Sequence, residues 1–166
     1  DPGNPKDNWT YFDTVTNKYY GHISNWTFGA GVTSMSELFK EFNFDNFTQK
    51  ILPDISSWDV SKVTTMESMF ENFPKFNQDI SSWDVGEVKT MKNMFKDCRI
   101  FNKSLQTKFT PNKQSLTWDV STVKDMESMF ENCWKFNQDI SKWKVNNVTT
   151  MKRMFYYCAD FNKPLN

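Results

Sequence analysis

An internal repeat constrains the fold of this chain more than any other feature of its sequence. The segment KFNQDISSWDV at 75–85 returns almost unchanged as KFNQDISKWKV at 135–145, and the phrase MESMFEN begins at both Met66 and Met126. The Phe of a recurring Met-Phe or Leu-Phe pair lies at positions 39, 70, 95, 130 and 155. Two of these steps are 25 residues long, and the others contain insertions. A fixed period of this length indicates a stack of similar units, none of which buries its apolar side alone.

The repeat also explains which residues are available for a core. Each unit reads I/L-x-x-W-x-V-x-x-V-x-x-M-x-x-M-F-x-x-C-x-x-F-N, and all 9 Met residues occupy its two Met slots. With 16 Phe, 7 Trp and only five Leu, the core must be built from Trp, Phe and Met. The Trp slot and the Val two residues later are expected to point inward. The longer insertion lies between Leu105 and Trp118 and contains residues typical of a surface loop.

Within one unit the apolar spacing changes as it does where a strand passes into a helix. Trp83 and Val85 alternate with Asp84 like a short strand, whereas the apolar residues of 88–95 follow helical spacing. The residue before the first Met slot has, in every unit, a side chain that caps helices well. These residues are Ser34, Thr65, Thr90, Asp125 and Thr150. The sequence therefore predicts one strand and one two-turn helix in each unit.

Stacking five such units predicts an α/β solenoid of five turns. It would have a short parallel sheet on one side and short helices on the other. Residues 1–21 lie outside the repeat and are predicted to form an N-terminal cap segment, and 22–166 form the repeat solenoid. The units lie near residues 23–50, 51–79, 80–114, 115–139 and 140–166.

The repeat also carries the motifs of a known family. Ile80-x-x-Trp83-x-Val85 matches the L-x-x-L-x-L opening of a leucine-rich repeat, and the phrases WDVS, M-x-x-MF and FNQDIS recur in register over roughly 23–166. The chain therefore resembles the BspA-like leucine-rich-repeat surface proteins, which include mycoplasma-type and Gram-positive lipoproteins. The resemblance implies a right-handed, leucine-rich-repeat-like solenoid and a bacterial surface or secreted protein with a recognition or adhesion role. It implies no chemical reaction.

Charges on the predicted helices alternate in sign from one unit to the next. One row is Glu67, Lys92, Glu127 and Lys152, and the neighbouring row is Lys40, Glu71, Lys96 and Glu131. Opposite charges are therefore expected to face each other between adjacent turns, which favours correct stacking and leaves the sheet side for binding. The last unit is locally basic and would face an acidic partner or solvent. Its basic residues are Lys142, Lys144, Lys152, Arg153 and Lys163.

The predicted sheet side carries like charges in a row instead. The residues between the Trp and the Val of successive units are Asp59, Asp84, Asp119 and Lys144, and those just before the Trp are Ser57, Ser82, Thr117 and Lys142. Like charges on adjacent strands cost stability, so this row is the candidate ligand-binding surface. In the alternative interpretation, the Asp residues accept hydrogen bonds from neighbouring Ser and Thr and were copied by duplication. No calcium-binding loop is present, and we assign no metal site.

Two further slots have structural interpretations. The residue after the core Phe is predicted to form an inward ladder of amides that satisfies backbone groups of adjacent turns. This ladder comprises Asn77, Asn102, Asn137 and Asn162. Cys98, Cys133 and Cys158 share one slot with Phe73, which marks the slot as apolar. Buried free thiols are therefore expected, rather than disulfides or a metal site.

Several classes of function are excluded by simple counts. The 20 basic and 20 acidic residues cancel, so the basic excess typical of nucleic-acid binding is missing. No apolar run approaches the roughly 18 residues of a membrane helix. The single histidine, His22, and the lack of a phosphate loop or nucleophile motif argue against catalysis, cofactors and catalytic residues.

The sequence therefore predicts a cell-surface or secreted recognition module that binds a protein or glycan through its sheet face. The insertion around 109–114 would lie at the rim of that face. One alternative is a structural spacer or self-assembly module of a larger surface protein, with end-to-end association of uncovered terminal repeats. Another is an intracellular scaffold, which free thiols permit.

Overall fold

The computed structural model describes residues 28, 31–41, 54–110 and 115–165, together with two strands near the N-terminus. Strand β1 (Thr10–Asp13) pairs antiparallel with β2 (Lys18–His22), which ends one residue beyond the predicted cap segment. Strand β3 (Lys108–Thr110) pairs antiparallel with β4 (Ser115–Thr117). This second hairpin is the insertion expected as a surface loop, and the remainder of the described chain is a stack of repeats.

The predicted α/β architecture is wrong. No segment of the described residues is helical, and the only sheets there are the two hairpins, so neither a helical side nor a parallel sheet exists. The repeats are joined instead by parallel bridges of a single residue each. These bridges link Ser34, Thr65, Thr90, Asp125 and Thr150 in sequence.

Consecutive tight turns replace the predicted helix in each repeat. In the segment 68–73, every second N–H donates to the carbonyl three residues earlier, as Met69 does to Met66 at 3.2 Å. The N–H groups in between donate to the next repeat, as Ser68 does to the carbonyl of Lys92 at 2.8 Å. The same alternation holds at all four junctions between the five Met-Phe segments. Half of the donors therefore shape the turn and half join the repeats.

The backbone torsion angles explain why a helix cannot form there. Ser68 and Asn72 have φ values of 55° and 58°, whereas an α-helix needs φ near −63°. Positive φ at the third residue of a four-residue turn is the signature of a type II turn. The same two slots have positive φ in every repeat, at Glu37, Glu41, Ser68, Asn72, Asn93, Asp97, Ser128, Asn132, Arg153 and Tyr157. The apolar spacing of a helix is kept, but the helical hydrogen bonds are exchanged for bonds between repeats.

The predicted helix caps stabilise turns instead. Oγ1 of Thr90 accepts a hydrogen bond from the N–H of Lys92 at 3.3 Å, and Oδ1 of Asp125 accepts one from Glu127 at 2.8 Å. Such local side-chain to backbone bonds are why Ser, Thr and Asp favour turns and helix starts alike. The prediction that these side chains bind nearby backbone N–H groups is therefore correct, but the segment that follows them is a series of turns and not a helix.

The core of Trp, Met and Phe is confirmed. Trp58 and Trp83 are buried and stack with ring centroids 6.4 Å apart and an interplanar angle of 3°. The Phe rings of the Met-Phe pairs form a continuous column with centroids 5.6 to 5.8 Å apart, at Phe39, Phe70, Phe95, Phe130 and Phe155. A second Phe column packs against the first. Each stacked aromatic pair adds about 0.5–1.5 kcal/mol beyond the area it buries.

Polar atoms inside this core bind the carbonyls of the preceding repeat. The indole N–H of Trp83 donates to the carbonyl of Ile55 at 3.1 Å, and the thiol of Cys133 donates to that of Phe95 at 2.9 Å. All three cysteines are free, as expected. Burial raises the pKa of the Cys98 and Cys133 thiols well above the usual value and that of Cys158 to about 12. The thiols therefore stay protonated and act as donors.

Replacement of Asn72 tests the turn geometry. Asn72→Val should lower the free energy of unfolding by roughly 1–3 kcal/mol, because a β-branched residue strongly disfavours positive φ. Asn72→Gly removes the same exposed side chain but adopts this φ without a steric cost, so its stability should be unchanged or higher. Urea unfolding followed by tryptophan fluorescence measures both variants. Equal destabilisation by the two would contradict the assignment.

Candidate functional site

The predicted ligand row lies on turns and not on a sheet face. In the repeat that contains Asp84, the N–H of Trp83 donates to Ile80 at 3.1 Å and that of Val88 donates to Val85 at 3.0 Å. Asp84 lies between these two turns. Its neighbours Trp83 and Val85 are buried, whereas Asp84 is half-buried at the surface. The predicted alternation of inward and outward residues is therefore confirmed at Asp84, whereas the predicted strand is wrong.

Each Asp of this row accepts a hydrogen bond from the backbone two residues later. The N–H groups of Ser61, Gly86 and Ser121 donate to Oδ1 of Asp59, Asp84 and Asp119 at 3.0, 3.1 and 3.0 Å, respectively. This Asx turn is a structural reason for Asp in this slot. Lys144 ends the row and is exposed. Because a lysine ammonium has no acceptor, it cannot form the same turn.

The Asp row differs in its ion pairing from the two rows in which Glu and Lys alternate. Lys92 lies 3.5 Å from Glu127, and Lys96 lies 3.6 Å from Glu71, each pair joining neighbouring repeats. Asp84 and Asp119 form no ion pair within the described part of the chain, whereas Glu71 and Glu127 each pair with lysines of both neighbouring repeats. The row of Asp84 and Asp119 therefore keeps its negative charge at the surface.

The flanking residues do not form one continuous row. Ser57, Ser82 and Lys142 are exposed, and the hydroxyl of Ser82 donates to the carbonyl of Ser56 at 2.6 Å. Thr117 is only 4% exposed, and its hydroxyl donates to the carbonyl of Lys108 across the β3–β4 hairpin at 3.3 Å. The placement of Thr117 on the binding surface was therefore wrong, because Thr117 belongs to β4 and its side chain is buried within the hairpin.

The hairpin itself carries the predicted rim of the surface. Phe109, in β3, is one of the most exposed large apolar residues in the described chain. Residues 111–114 of the predicted rim lie outside the described residues. The exposed ring of Phe109 nevertheless gives this insertion an apolar contact point.

A second row of Asp residues was missed by the sequence reasoning. Asp54, Asp79 and Asp139 precede the core Ile, and each accepts the N–H of the Ser two residues later at 2.8 to 2.9 Å. Hydrogen bonds from the backbone and hydroxyl of Ser81 hold the pKa of Asp79 below its ordinary value. The repeated Asp-Ile-Ser triplet was the signal that could have identified this row. Its repetition in a turn position indicates a structural role.

The Asn slot forms a hydrogen-bonded ladder at the surface. Oδ1 of Asn77 accepts the backbone N–H of Asn102 at 3.0 Å, and Oδ1 of Asn102 accepts that of Asn137 at 3.0 Å. Oδ1 of Asn137 accepts the N–H of Asn162 at 3.1 Å. Asn137 is half-buried and the other three are exposed, so their predicted inward orientation was wrong. Each amide joins two repeats, but water competes for it.

An exposed aromatic residue was also missed. The guanidinium carbon of Arg99 lies 4.8 Å from the ring centroid of Trp134 in the next repeat, which is within the range of a cation–π contact. Trp134 is 46% exposed, and Ile100, the residue after Arg99, is also exposed. The signal in the sequence was that Trp134 lies outside the repeated Trp slot. Trp and Arg are the residues most often enriched at binding hot spots.

Neither a metal centre nor a membrane helix is visible in the described part of the chain. No group of three His, Cys, Asp or Glu side chains within it is arranged to hold a metal ion. Likewise, it contains no helix long and apolar enough to cross a bilayer.

Replacement of Asn102 tests the ladder at its most connected position. Oδ1 of Asn102 also accepts the side chain of Gln138 at 2.7 Å, so Asn102→Ala should lower the free energy of unfolding by about 0.5–1.5 kcal/mol. Asn102→Asp keeps both acceptor bonds and serves as the control. Thermal unfolding should place the Asp variant near the wild type and the Ala variant about 2–4 °C lower. A melting temperature of Asn102→Ala equal to that of the wild type would contradict the ladder.

Comparison with known proteins gives one match. The chain matches the model of a family described as "Mycoplasma protein of unknown function, DUF285" over residues 7–116 and 106–166. The two matched segments overlap at 106–116, where the insertion with β3 and β4 interrupts the repeat. Neither a curated protein nor a solved structure matches the chain. Because the matched segments extend from residue 7 to residue 166, the chain belongs to the DUF285 family of Mycoplasma proteins.

Proposed function

We propose that the chain is a non-catalytic recognition module at the bacterial cell surface or in the secreted fraction. It binds a protein or glycan through the row of Asp59, Asp84, Asp119 and Lys144. The observation that carries this proposal is a contrast between the inside and the outside of the stack. Inside, core slots such as that of the Met-Phe pair keep the same side chain, whereas some surface slots, such as that of Trp134, change from one repeat to the next.

The contrast is clearest when one inner and one outer slot are compared. The Phe of the Met-Phe pair is identical in all five repeats and stacks in one column. At the surface corner of Trp134 the residues in successive repeats are Pro74, Arg99, Trp134 and Ala159. Such a stack holds its surface side chains at fixed spacing while their identities vary. A scaffold with this property suits recognition better than chemistry.

The rigidity of the stack favours binding as well. Each junction is joined by four N–H donors of the Met-Phe segment and by at least one bond in the opposite direction, such as Lys89 to Thr64 at 2.8 Å. The rows of surface side chains are therefore ordered before a ligand arrives. Binding to an ordered surface avoids the loss of about 0.5–1.5 kcal/mol for each side chain that must be immobilised.

The charge of the row suggests the chemistry of the ligand. The carboxylates of Asp84 and Asp119 are held by their own turns and lack a cation partner among the described residues. Lys144 reverses the charge at one end of the row. A ligand that carries cationic groups, such as Lys or Arg side chains of a protein, would bind in one orientation. The hydroxyls of neighbouring Ser residues could bind a polar glycan.

The proposed location relies on the family and on the motifs. Membership of a Mycoplasma family and the resemblance to mycoplasma-type surface lipoproteins both support placement outside the cell. The finer assignment to the BspA-like proteins is part of this proposal, and it rests on the shared phrases WDVS and FNQDIS. It does not rest on a leucine-rich-repeat architecture, which the turns and the missing sheet contradict.

A role in assembly is the second candidate function. The last described repeat leaves core residues uncovered, since Met151 is 40% exposed while Met66, Met91 and Met126 in the same slot are fully buried. Exposed apolar surface of this kind supports contact with another polypeptide, which a spacer or self-assembly role requires.

Replacement of three Asp residues by Asn tests the proposed row. Asp59→Asn, Asp84→Asn and Asp119→Asn together remove three negative charges but keep the Oδ1 atoms that accept the turn N–H groups. An array of glycans and extracellular-matrix proteins should show binding by the wild type and at least a tenfold loss by this triple variant. Its melting temperature should stay close to that of the wild type.

The corresponding triple Ala variant separates charge from turn stability. It loses the charges and the acceptors, so it should show both weaker binding and a lower melting temperature. A triple Asn variant that keeps the binding profile of the wild type would rule out the Asp row as the ligand site.

A further inference from the structure

One corner of the stack departs from the repeat in both composition and exposure. We name it the Arg-Trp corner and define it by Arg99, Ile100 and Trp134. It lies between the third and fourth Met-Phe segments, each of which has a neighbouring repeat on both sides. Trp134 is 46% exposed and Ile100 45%, whereas the described Trp residues of the repeated slot are at most 8% exposed. Those residues are Trp58, Trp83, Trp118 and Trp143.

Backbone hydrogen bonds hold the corner in register. The N–H of Lys135 donates to the carbonyl of Arg99 at 3.2 Å, and the N–H of Asp160 donates to that of Trp134 at 3.1 Å. Arg99, Trp134 and Ala159 therefore occupy the same slot of three successive layers. The guanidinium of Arg99 lies over the indole of Trp134, 4.8 Å from the ring centroid. The methyl group of Ala159 in the next layer is too small to cover an indole, so much of the ring remains exposed.

The polar groups of the corner are hydrogen-bond donors that find no acceptor among the described residues. Arg99 forms no ion pair there, and the indole N–H of Trp134 donates to no described atom. By contrast, the buried indoles of Trp83 and Trp118 donate to carbonyls at 3.1 and 2.8 Å. A guanidinium has five N–H donors and no acceptor. A ligand of this corner must therefore supply acceptors, and a carboxylate matches the guanidinium fork.

The charged side chains nearest to Arg99 along the chain and in the next layer have partners of their own. Lys135 forms an ion pair with Asp160 at 3.2 Å. Asp97, two residues before Arg99, accepts the side-chain amide of Asn132 through Oδ1 at 2.9 Å. Neither carboxylate forms an ion pair with Arg99, so its guanidinium is open to a carboxylate from outside the molecule.

Contact with the indole also prepares Arg99 for binding. A guanidinium that lies over an aromatic face keeps the N–H groups at its edge accessible, and its planar fork is already oriented for a bidentate bond. Ile100 adds an aliphatic contact beside it. An apolar side chain suits Ile100 and Trp134 better than a sugar does, because sugars carry few groups without hydroxyls. The corner therefore favours a polypeptide that offers both a carboxylate and an apolar side chain.

We infer that the Arg-Trp corner binds an extended segment of another protein that carries an acidic residue and, two residues away, a large apolar residue. Alternate residues of an extended segment point to one side and lie about 7 Å apart. The carboxylate accepts the N–H groups of Arg99, and the apolar side chain packs on Trp134 and Ile100. The corner contains no Asp of the proposed binding row and selects the opposite charge, so either site can fail without the other.

Selection from a random dodecapeptide library displayed on phage tests this inference. The library is first depleted on the chain with Arg99→Ala, which removes peptides that bind elsewhere, and is then selected on the wild type. The enriched peptides should share an Asp or Glu two residues from a Phe, Trp, Leu or Ile. Selection on Arg99→Glu, after the same depletion, should replace the acidic residue by Lys or Arg.

Binding of one enriched synthetic peptide to single variants then locates the site. Arg99→Ala and Trp134→Ala should each weaken binding at least tenfold, because the two side chains form the two halves of the contact. Lys135→Ala is the matched control, since it removes an exposed cation of the same layer that is paired with Asp160. It should change the affinity less than twofold. Thermal unfolding should show that all three variants remain folded, because the replaced side chains are exposed.

Four results would overturn the inference. The first is that no peptide is enriched after depletion, which would leave Arg99 and Trp134 as a contact between repeats alone. The second is enrichment of peptides without an acidic residue. The third is an equal loss of affinity in Lys135→Ala. The fourth is that acidic glycans on an array bind in a manner that requires Arg99 and Trp134, which would assign the corner to carbohydrate.

Discussion

The alternating use of backbone N–H groups is the interaction on which the rest of the structure depends. In the segment 66–73, one donor closes a turn within the repeat and the next donor binds the following repeat. A buried chain segment normally needs a helix or a sheet to satisfy its backbone polar groups. Here the turns and the bonds between repeats satisfy them instead. The same bonds bring successive segments close enough for the Phe rings to stack at 5.6 to 5.8 Å. Aromatic side chains are well suited to this core because flat rings fill the narrow layer between two repeats.

Several side chains add to the backbone bonds at the same junctions. The indole of Trp118 binds the carbonyl of Ile80, the thiol of Cys98 binds that of Phe70, and the amide of Asn77 binds the N–H of Asn102. These bonds lie at different depths, from the buried core to the exposed edge of the stack. A shift of one repeat relative to the next would break all of them together, so the register is defined by many small contributions.

Much of this arrangement could be predicted from the sequence, because it depends on which residues recur. The core slots, the free cysteines and the pairing of Glu and Lys between repeats follow directly from the spacing. The prediction of a helix was wrong, because the spacing of Met91, Met94 and Phe95 fits two successive turns as well as one face of a helix. Nothing in the sequence forced positive φ at Ser68 or Asn72, since neither position is Gly. The hydrogen bonds between repeats decide this, and they exist only once the repeats are stacked.

The surface position of the Asp row could be predicted from the sequence, whereas the turns that hold it could not. The outward position of Asp84 follows from its place between Trp83 and Val85, but the Asx turn requires atomic geometry. Trp134 was overlooked because it does not belong to the repeat, although residues outside a repeat are where a surface acquires its individual contacts. In a molecule of this kind, the regular slots describe the scaffold and the irregular ones describe its surface.

The ion pairs between repeats also have an evolutionary consequence. Glu127 binds lysines in both adjacent repeats, so the sign of this slot must alternate along the stack. Duplication of a single repeat would place two like charges side by side, whereas duplication of two repeats together keeps every pair intact. The phrases that return most faithfully, MESMFEN at Met66 and Met126 and FNQDIS at Phe76 and Phe136, are indeed separated by two repeats. The pair of repeats is therefore the unit by which such a chain can lengthen without electrostatic penalty.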